Sequence, residues 1–131
     1  MQNKRTDGAH VWVLRLLQGV AAVLIMLLGW SHGVLYVEGG SMEPALSPGD
    51  VIVYRRVSPS LAAGDLVVFQ YAGGLVVHRV VAVMRDGTMR TAGDANESAD
   101  MTPLEYTAVR GEVVFVLPLG HLAEKVAAAG A

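Results

Sequence analysis

Leu66-Val-Val-Phe-Gln-Tyr-Ala-Gly-Gly-Leu-Val-Val-His-Arg-Val-Val-Ala-Val83 is the stretch that decides the fold of this chain. Two runs dense in Val and Phe, Leu66–Tyr71 and Leu75–Val83, flank Ala72-Gly-Gly74. β-Branched and aromatic residues suit the pleated surface of a strand, and a glycine-rich break between two such runs reads as a hairpin turn. Outward from this hairpin, Val51–Val57 (VIVYRRV), Thr88–Ala92 and Glu112–Leu117 have the same character. Turns fall at Ser47-Pro-Gly-Asp50, Ala63-Gly-Asp65 and Asp86-Gly87, with Asp50 and Asp65 read as turn residues. Closely spaced strands without a long amphipathic helix predict a mostly β fold, a small antiparallel β domain with one modest core. Gly93–Tyr106 (GDANESADMTPLEY) breaks the strand pattern as a polar loop long enough to be functional. The final HLAEKVAAAGA predicts a short helix, too short and too polar to cross a membrane.

Upstream of the strands the pattern is different. Of 131 residues, 53% are hydrophobic, and Val11–Trp30 (VWVLRLLQGVAAVLIMLLGW) accounts for much of the excess. A run of that length matches the roughly 30 Å hydrocarbon core of a bilayer. Arg15 lies near one end, where its side chain can snorkel to the headgroups, and Trp12 and Trp30 mark both ends as interfacial aromatics do. The run is long for a signal-peptide core, and no small-residue cleavage site follows it cleanly, which favours an uncleaved anchor. Lys4, Arg5 and Arg15 precede or begin the run, whereas residues 31–54 carry no Lys or Arg. The positive-inside rule then keeps residues 1–10 cytoplasmic as a tail, makes 11–30 the transmembrane anchor and exports 31–131 to the cell exterior side of the membrane. Of ten Lys and Arg, those three leave seven for the exported part. Of twelve Asp and Glu, Asp7 is the only one upstream, leaving eleven. The exported part is therefore mildly acidic and without a nucleic-acid-reading motif, which argues against DNA or RNA as a partner. Absence of cysteine excludes disulfides and thiolate metal sites.

Gly39-Gly-Ser-Met-Glu-Pro44 follows the anchor closely. Gly lets the backbone turn sharply and lets another chain approach, while Pro44 stiffens the exit. The hexapeptide has two readings: an ordinary turn, or a seat for Ser41 as a nucleophile meeting its substrate at the membrane surface. A serine hydroxyl needs a neighbouring base. The only lysines are Lys4 and Lys125, so a Ser–Lys pair has no candidate inside the β domain. Among the histidines, His10 is upstream, His32 lies at the membrane surface and His121 is near the end. His78 alone falls within a predicted strand. Alternation there puts Val76, His78, Val80 and Ala82 on one face, an apolar setting that keeps an imidazole neutral and able to accept a proton. The competing reading of His78 is a hydrogen-bonded structural histidine. An acceptor is needed to orient the ring. Asp94 and Asp100, with Glu97 between them, are available in the Gly93–Asp100 loop, and spacing does not choose between them.

These residues resemble, in order, the boxes of the type I signal peptidases, in the endoplasmic-reticulum or archaeal-like branch. Gly40-Ser-Met-Glu-Pro44 with Gly49-Asp50 is similar to the serine box. Gly64-Asp65-Leu-Val-Val-Phe is similar to the next strand, and His78-Arg-Val80 to the box where this branch carries His in place of Lys. Gly93-Asp-Ala-Asn96 with Asp100, and Gly111-Glu-Val-Val, are similar to the last two boxes. The match covers roughly residues 20–120. It implies a β domain of the signal-peptidase type behind one N-terminal helix, and a membrane-anchored serine endopeptidase that cuts exported preproteins after small residues at −1 and −3. It implies Ser41 as nucleophile, His78 as base and Asp100 as orienting acid, with Asp94 required or supporting. It implies no metal or organic cofactor, and as partners exported preproteins, the lipid bilayer and the secretion machinery. One departure is Gly39, where many members carry a serine whose hydroxyl helps bind the oxyanion, so backbone N–H groups such as that of Ser41 must serve. Two other readings compete. One is a non-catalytic, membrane-tethered β module binding an exported partner; the other is a self-cleaving Ser–Lys protease of the repressor type, which the missing lysine and the anchor disfavour. A metal site from His78, Asp94 and Asp100 is a weaker reading of the same residues.

Overall fold

The computed structural model describes residues 6–56 and 60–130. Lys4 and Arg5 of the expected basic start, and Val57 at the end of the expected second strand, lie outside the described residues. The chain divides between Ser31 and His32 into two units.

The first unit is a helix, α1 (Thr6–Ser31). Within it, Ala9–Ser31 has a mean hydropathy of 2.2 over its most apolar stretch and none of that stretch is buried in protein. At 1.5 Å per residue a helix of this length exceeds the roughly 30 Å hydrocarbon core. It is thus long and apolar enough to span a membrane, and it starts earlier than the expected Val11. The Arg15 guanidinium lies 5.9 Å from the centre of the Trp12 ring, so the one charge in the apolar run sits against an aromatic face at its N-terminal end.

The second unit is a six-stranded, fully antiparallel sheet. Its strands are β1 (His32–Tyr36), β2 (Val51–Arg55), β3 (Leu66–Tyr71), β4 (Gly74–Val83), β5 (Met89–Ala92) and β6 (Val109–Leu117), in the order β1-β2-β6-β3-β4-β5. The β3–β4 hairpin closes through Ala72 (φ 47°) and Gly73 (φ 84°). Positive φ at both central residues gives a turn whose twist matches the strands it joins. The mostly antiparallel β fold expected from the sequence is the one observed. β1 is an addition. Its five residues follow the helix directly and pair along their whole length with β2, His32 opposite Arg55 and Tyr36 opposite Val51. So short a segment, merged with an apolar helix, carries no strand signal of its own.

Adjacent strand positions feed opposite faces. Val68 and Val77 join Val37, Met42, Leu46, Ile52 and Tyr54 on one face. Val67, Phe69 and Val80 join Met89 and Leu104 on the other. Burial of these side chains, at about 25 cal/mol per Å² of apolar surface, holds the sheet against the cost of ordering the chain.

The expected C-terminal helix forms as α2 (Leu119–Ala129). Its first turn is pinned by Asp50, which is 1% exposed. One carboxylate oxygen accepts the Gly120 N–H and the other the Ser47 N–H, both at 2.9 Å. The Ser47 hydroxyl also lies 3.1 Å from His121 Nε2. Gly120 has no room for a side chain, since a Cβ there would fall 2.1 Å from the Pro48 carbonyl oxygen. Asp50 is therefore both the turn residue expected and a clamp on α2. Asp50→Ala strands one buried and one partly buried N–H donor and is expected to cost about 1–3 kcal/mol, read as a lower melting temperature together with faster proteolysis at α2.

Candidate active site

Ser41 is held by its neighbours rather than by its side chain. The Val37 N–H donates to Asp50 O and the Gly49 N–H to Val37 O, each at 2.8 Å, which fixes the chain as it leaves β1. A tight turn follows, with Leu46 N–H bonded to Met42 O at 2.9 Å, and both Met42 and Leu46 are fully buried. Ser41 sits between the exposed Gly40 and this buried anchor. Its carbonyl accepts the Ala95 N–H at 2.9 Å, and this bond ties the serine turn to the Gly93–Asn96 loop.

Gly93 is where the two segments meet. A Cβ built there would lie 2.5 Å from Ser41 O and 3.1 Å from Ser41 Cβ, so only glycine allows this approach. The β4–β5 register pairs Arg79 with Ala92, which brings the next residue on, Gly93, level with His78. Strand pairing therefore sets His78 across from Gly93, the glycine that Ser41 abuts.

His78 shares the face of Val76 and Val80 and is largely buried. Its ring meets Phe69 edge-on at 5.9 Å between centres. Nδ1 donates to Asp100 Oδ2 at 2.7 Å. The same oxygen accepts the Thr91 hydroxyl at 2.6 Å, and the Asp100 N–H donates to Thr91 O at 2.8 Å. The carboxylate is thus locked in position by β5 before it meets the imidazole. With Nδ1–H committed to a carboxylate, the proton-accepting nitrogen is Nε2.

Asp94 has a different partner. Its two oxygens take Arg79 Nε at 2.8 Å and Nη2 at 2.6 Å, while Arg79 Nη1 donates to Gly64 O at 2.8 Å. The hydrogen bonds from Arg79 hold the Asp94 carboxyl below the usual carboxylate range, with partial burial opposing and the charges of Arg79 and His78 adding to the lowering. A depressed carboxylate contributes stability above its unfolded-state pKa and loses it as pH falls through the lower folded value. The Arg79 guanidinium is about a third exposed, so solvent screens the pair to about 1 kcal/mol or less. Asp94→Asn is therefore expected to remove a small increment of stability at neutral pH and to flatten the acid side of a stability–pH curve, with melts between neutral and acid pH as the check.

The structure thus joins His78 to Asp100, directs Asp94 to the adjacent arginine, and ties Ser41 to the Gly93–Asn96 loop between them. Among the described residues the Ser41 hydroxyl makes no hydrogen bond, to His78 or to any other group, and no three His, Asp or Glu side chains converge as a metal site. The Ser41 backbone N–H has no hydrogen-bond partner among those residues either. Two contributors escaped the sequence reading, Arg79 and Thr91. Each has a faint signal, an arginine beside the strand histidine and a hydroxyl at alternate spacing from Gly93, but their roles exist only through the β4–β5 pairing.

The fold and the family it belongs to define a serine-peptidase-type domain. The chain belongs to the Peptidase S24-like family, whose model matches residues 24–114. No curated protein matches the chain. The sequence carries no lysine between residues 5 and 124, and within the matched span its histidines are His32 and His78.

Proposed function

We propose that this chain is a membrane-anchored serine endopeptidase that removes signal peptides from exported preproteins, with Ser41 as nucleophile, His78 as general base and Asp100 orienting the imidazole. The observation that carries the reading is the 2.7 Å bond from His78 Nδ1 to a carboxylate already fixed by Thr91, on the strand beside the glycine that Ser41 abuts.

A groove of about 560 Å³ runs from Ser41 between residues 35–39 and 74–77. β5 pairs with β4 only from Arg79 onward, which leaves Leu75–Val77 paired with β3 alone. An extended peptide gains main-chain hydrogen bonds at such an edge. Its scissile carbonyl meets Ser41 Oγ as His78 Nε2 takes the hydroxyl proton, and the N–H of Ser41 receives the developing oxyanion in place of the side chain that Gly39 lacks. The acyl-enzyme forms as the leaving amine takes the proton back from His78, and water then releases the signal peptide. Asp94, through Arg79, supports the loop that carries the Ala95–Ser41 bond. α1 keeps enzyme and substrate on one membrane surface, with the N-terminus cytoplasmic, which raises their effective concentration.

Full-length protein in liposomes is expected to cut a preprotein carrying an Ala-x-Ala site after the second Ala, as N-terminal sequencing of the product would establish. Phe at −1 is expected to lower kcat/KM by about 10²-fold or more, since overfilling a small packed pocket costs up to about 3 kcal/mol. Equal cleavage of both substrates would remove the signal-peptide assignment.

A further inference from the structure

Two cavities meet along β4, and the proposed reaction uses only one. Ser41 lines the groove between residues 35–39 and 74–77, His78 lines a second cavity of about 450 Å³, and Val76 lines both. The second cavity lies on the face of Phe69, Val76 and His78, because Phe69 pairs with Val76 and side chains alternate along β4. Leu104 and Ala108 form its other apolar walls, and the fully exposed Met101 stands at its mouth. β5 pins the covering segment at both ends: the Asp100 N–H donates to Thr91 O at 2.8 Å, and Met89 and Leu104 exchange backbone bonds at 2.9 and 2.8 Å. The polar groups of the wall are engaged, since Asp100 joins His78 Nδ1 to the Thr91 hydroxyl. What it offers a ligand is a preformed, mostly apolar concavity beside the catalytic base.

Strand alternation selects the occupant. At Leu75–Val77, β4 is paired with β3 alone, since β5 joins it only from Arg79. In a peptide strand laid along that edge, the residue opposite Val76 shares the face of Val76. Its neighbours on either side point the other way, to the face of Val77 and Met42, which line the Ser41 groove. Small side chains at −1 and −3 fill the groove on that side. The residue between them, −2, then stands over the second cavity, next to the His78 ring.

We propose that this cavity seats the −2 side chain of the preprotein and makes the enzyme favour a large apolar or aromatic residue there. The assignment deepens the signal-peptidase reading and rests on it. Phe69, Leu104 and Ala108 supply the apolar contact, and Met101, a flexible and polarisable side chain, covers the inserted group.

Full-length protein in liposomes would be given preproteins alike except at −2, carrying Ala-Phe-Ala or Ala-Gly-Ala. The kcat/KM for Phe at −2 is expected to exceed that for Gly by about tenfold or more, the discrimination an apolar pocket provides. Two variants test the place. Ala108→Phe fills the cavity from its wall, with a melting curve to show that it folds. Met101→Asp, at a fully exposed position, sets a charge at the mouth without touching the core, and it decides alone if Ala108→Phe does not fold. Each is expected to lower the Phe-to-Gly ratio by at least about fivefold. The ratio is taken within one variant, so it is independent of that variant's overall activity. Equal cleavage of the two substrates by wild type overturns the subsite and leaves the signal-peptidase reading intact. A Phe preference that the folded variants retain in full arises elsewhere and also overturns the subsite. Cleavage of neither substrate by wild type removes the signal-peptidase reading and the subsite with it.

Discussion

Asp100→Asn is expected to lower kcat about 10⁴-fold with little change in KM, the scale on which Ser-His-Asp enzymes respond to loss of the orienting carboxylate. Asp100 Oδ2 accepts both His78 Nδ1–H and the Thr91 hydroxyl. An amide nitrogen in that place donates to Nδ1 instead. The ring proton then moves to Nε2, the atom that must receive the proton of Ser41. An amide oxygen in that place preserves the tautomer but no longer stabilises the imidazolium. Asp94→Asn is the matched control. It loses a bond to Arg79 and not to His78, so its effect is expected to be smaller by at least about tenfold. Cleavage rates of the two variants, measured in the same vesicles, check the division of labour.

Gly93→Ala is the second large effect. The new methyl would stand 2.5 Å from Ser41 O and 2.8 Å from Asn96 Nδ2. The asparagine side chain can turn away, but the serine carbonyl is backbone, anchored through the buried Met42. The turn must therefore shift. A displacement of the nucleophile on the order of 1 Å costs about 10²-fold in rate, and the overpacking is expected to cost about 1–3 kcal/mol of stability. The loss should fall on kcat more than on KM, because the groove residues Leu75–Val77 are not touched. A kinetic comparison alongside a melting curve separates the two effects. Full activity in Gly93→Ala would mean that Ser41 is not fixed by this contact.

The strands were legible where composition alone defines them. The β3–β4 hairpin, β5, β6 and α2 follow from β-branched runs, glycine turns and a terminal helical segment. β1 was not, because five residues joined to an apolar helix become a strand only by pairing with β2. The site was legible as residue types and illegible as partnerships. Ser41 stands out by its place in Gly39-Gly-Ser-Met-Glu-Pro44 behind the apolar run, and His78 by elimination, since there is no internal lysine. The choice between Asp94 and Asp100 depends on which face of β5 and its following loop meets His78, and that is set by the β4–β5 pairing of Arg79 with Ala92 and Val80 with Thr91. The same pairing turns Arg79 to the opposite side from His78 and makes it the partner of Asp94. No spacing rule carries that information.

The most direct test of the account is cleavage of a preprotein with an Ala-x-Ala site by full-length wild type, Ser41→Ala and His78→Ala, reconstituted side by side. The account predicts cleavage by wild type and a loss of about 10⁴-fold or more in both variants, because nucleophile and base act as one unit. Cleavage by Ser41→Ala at the wild-type rate would contradict it.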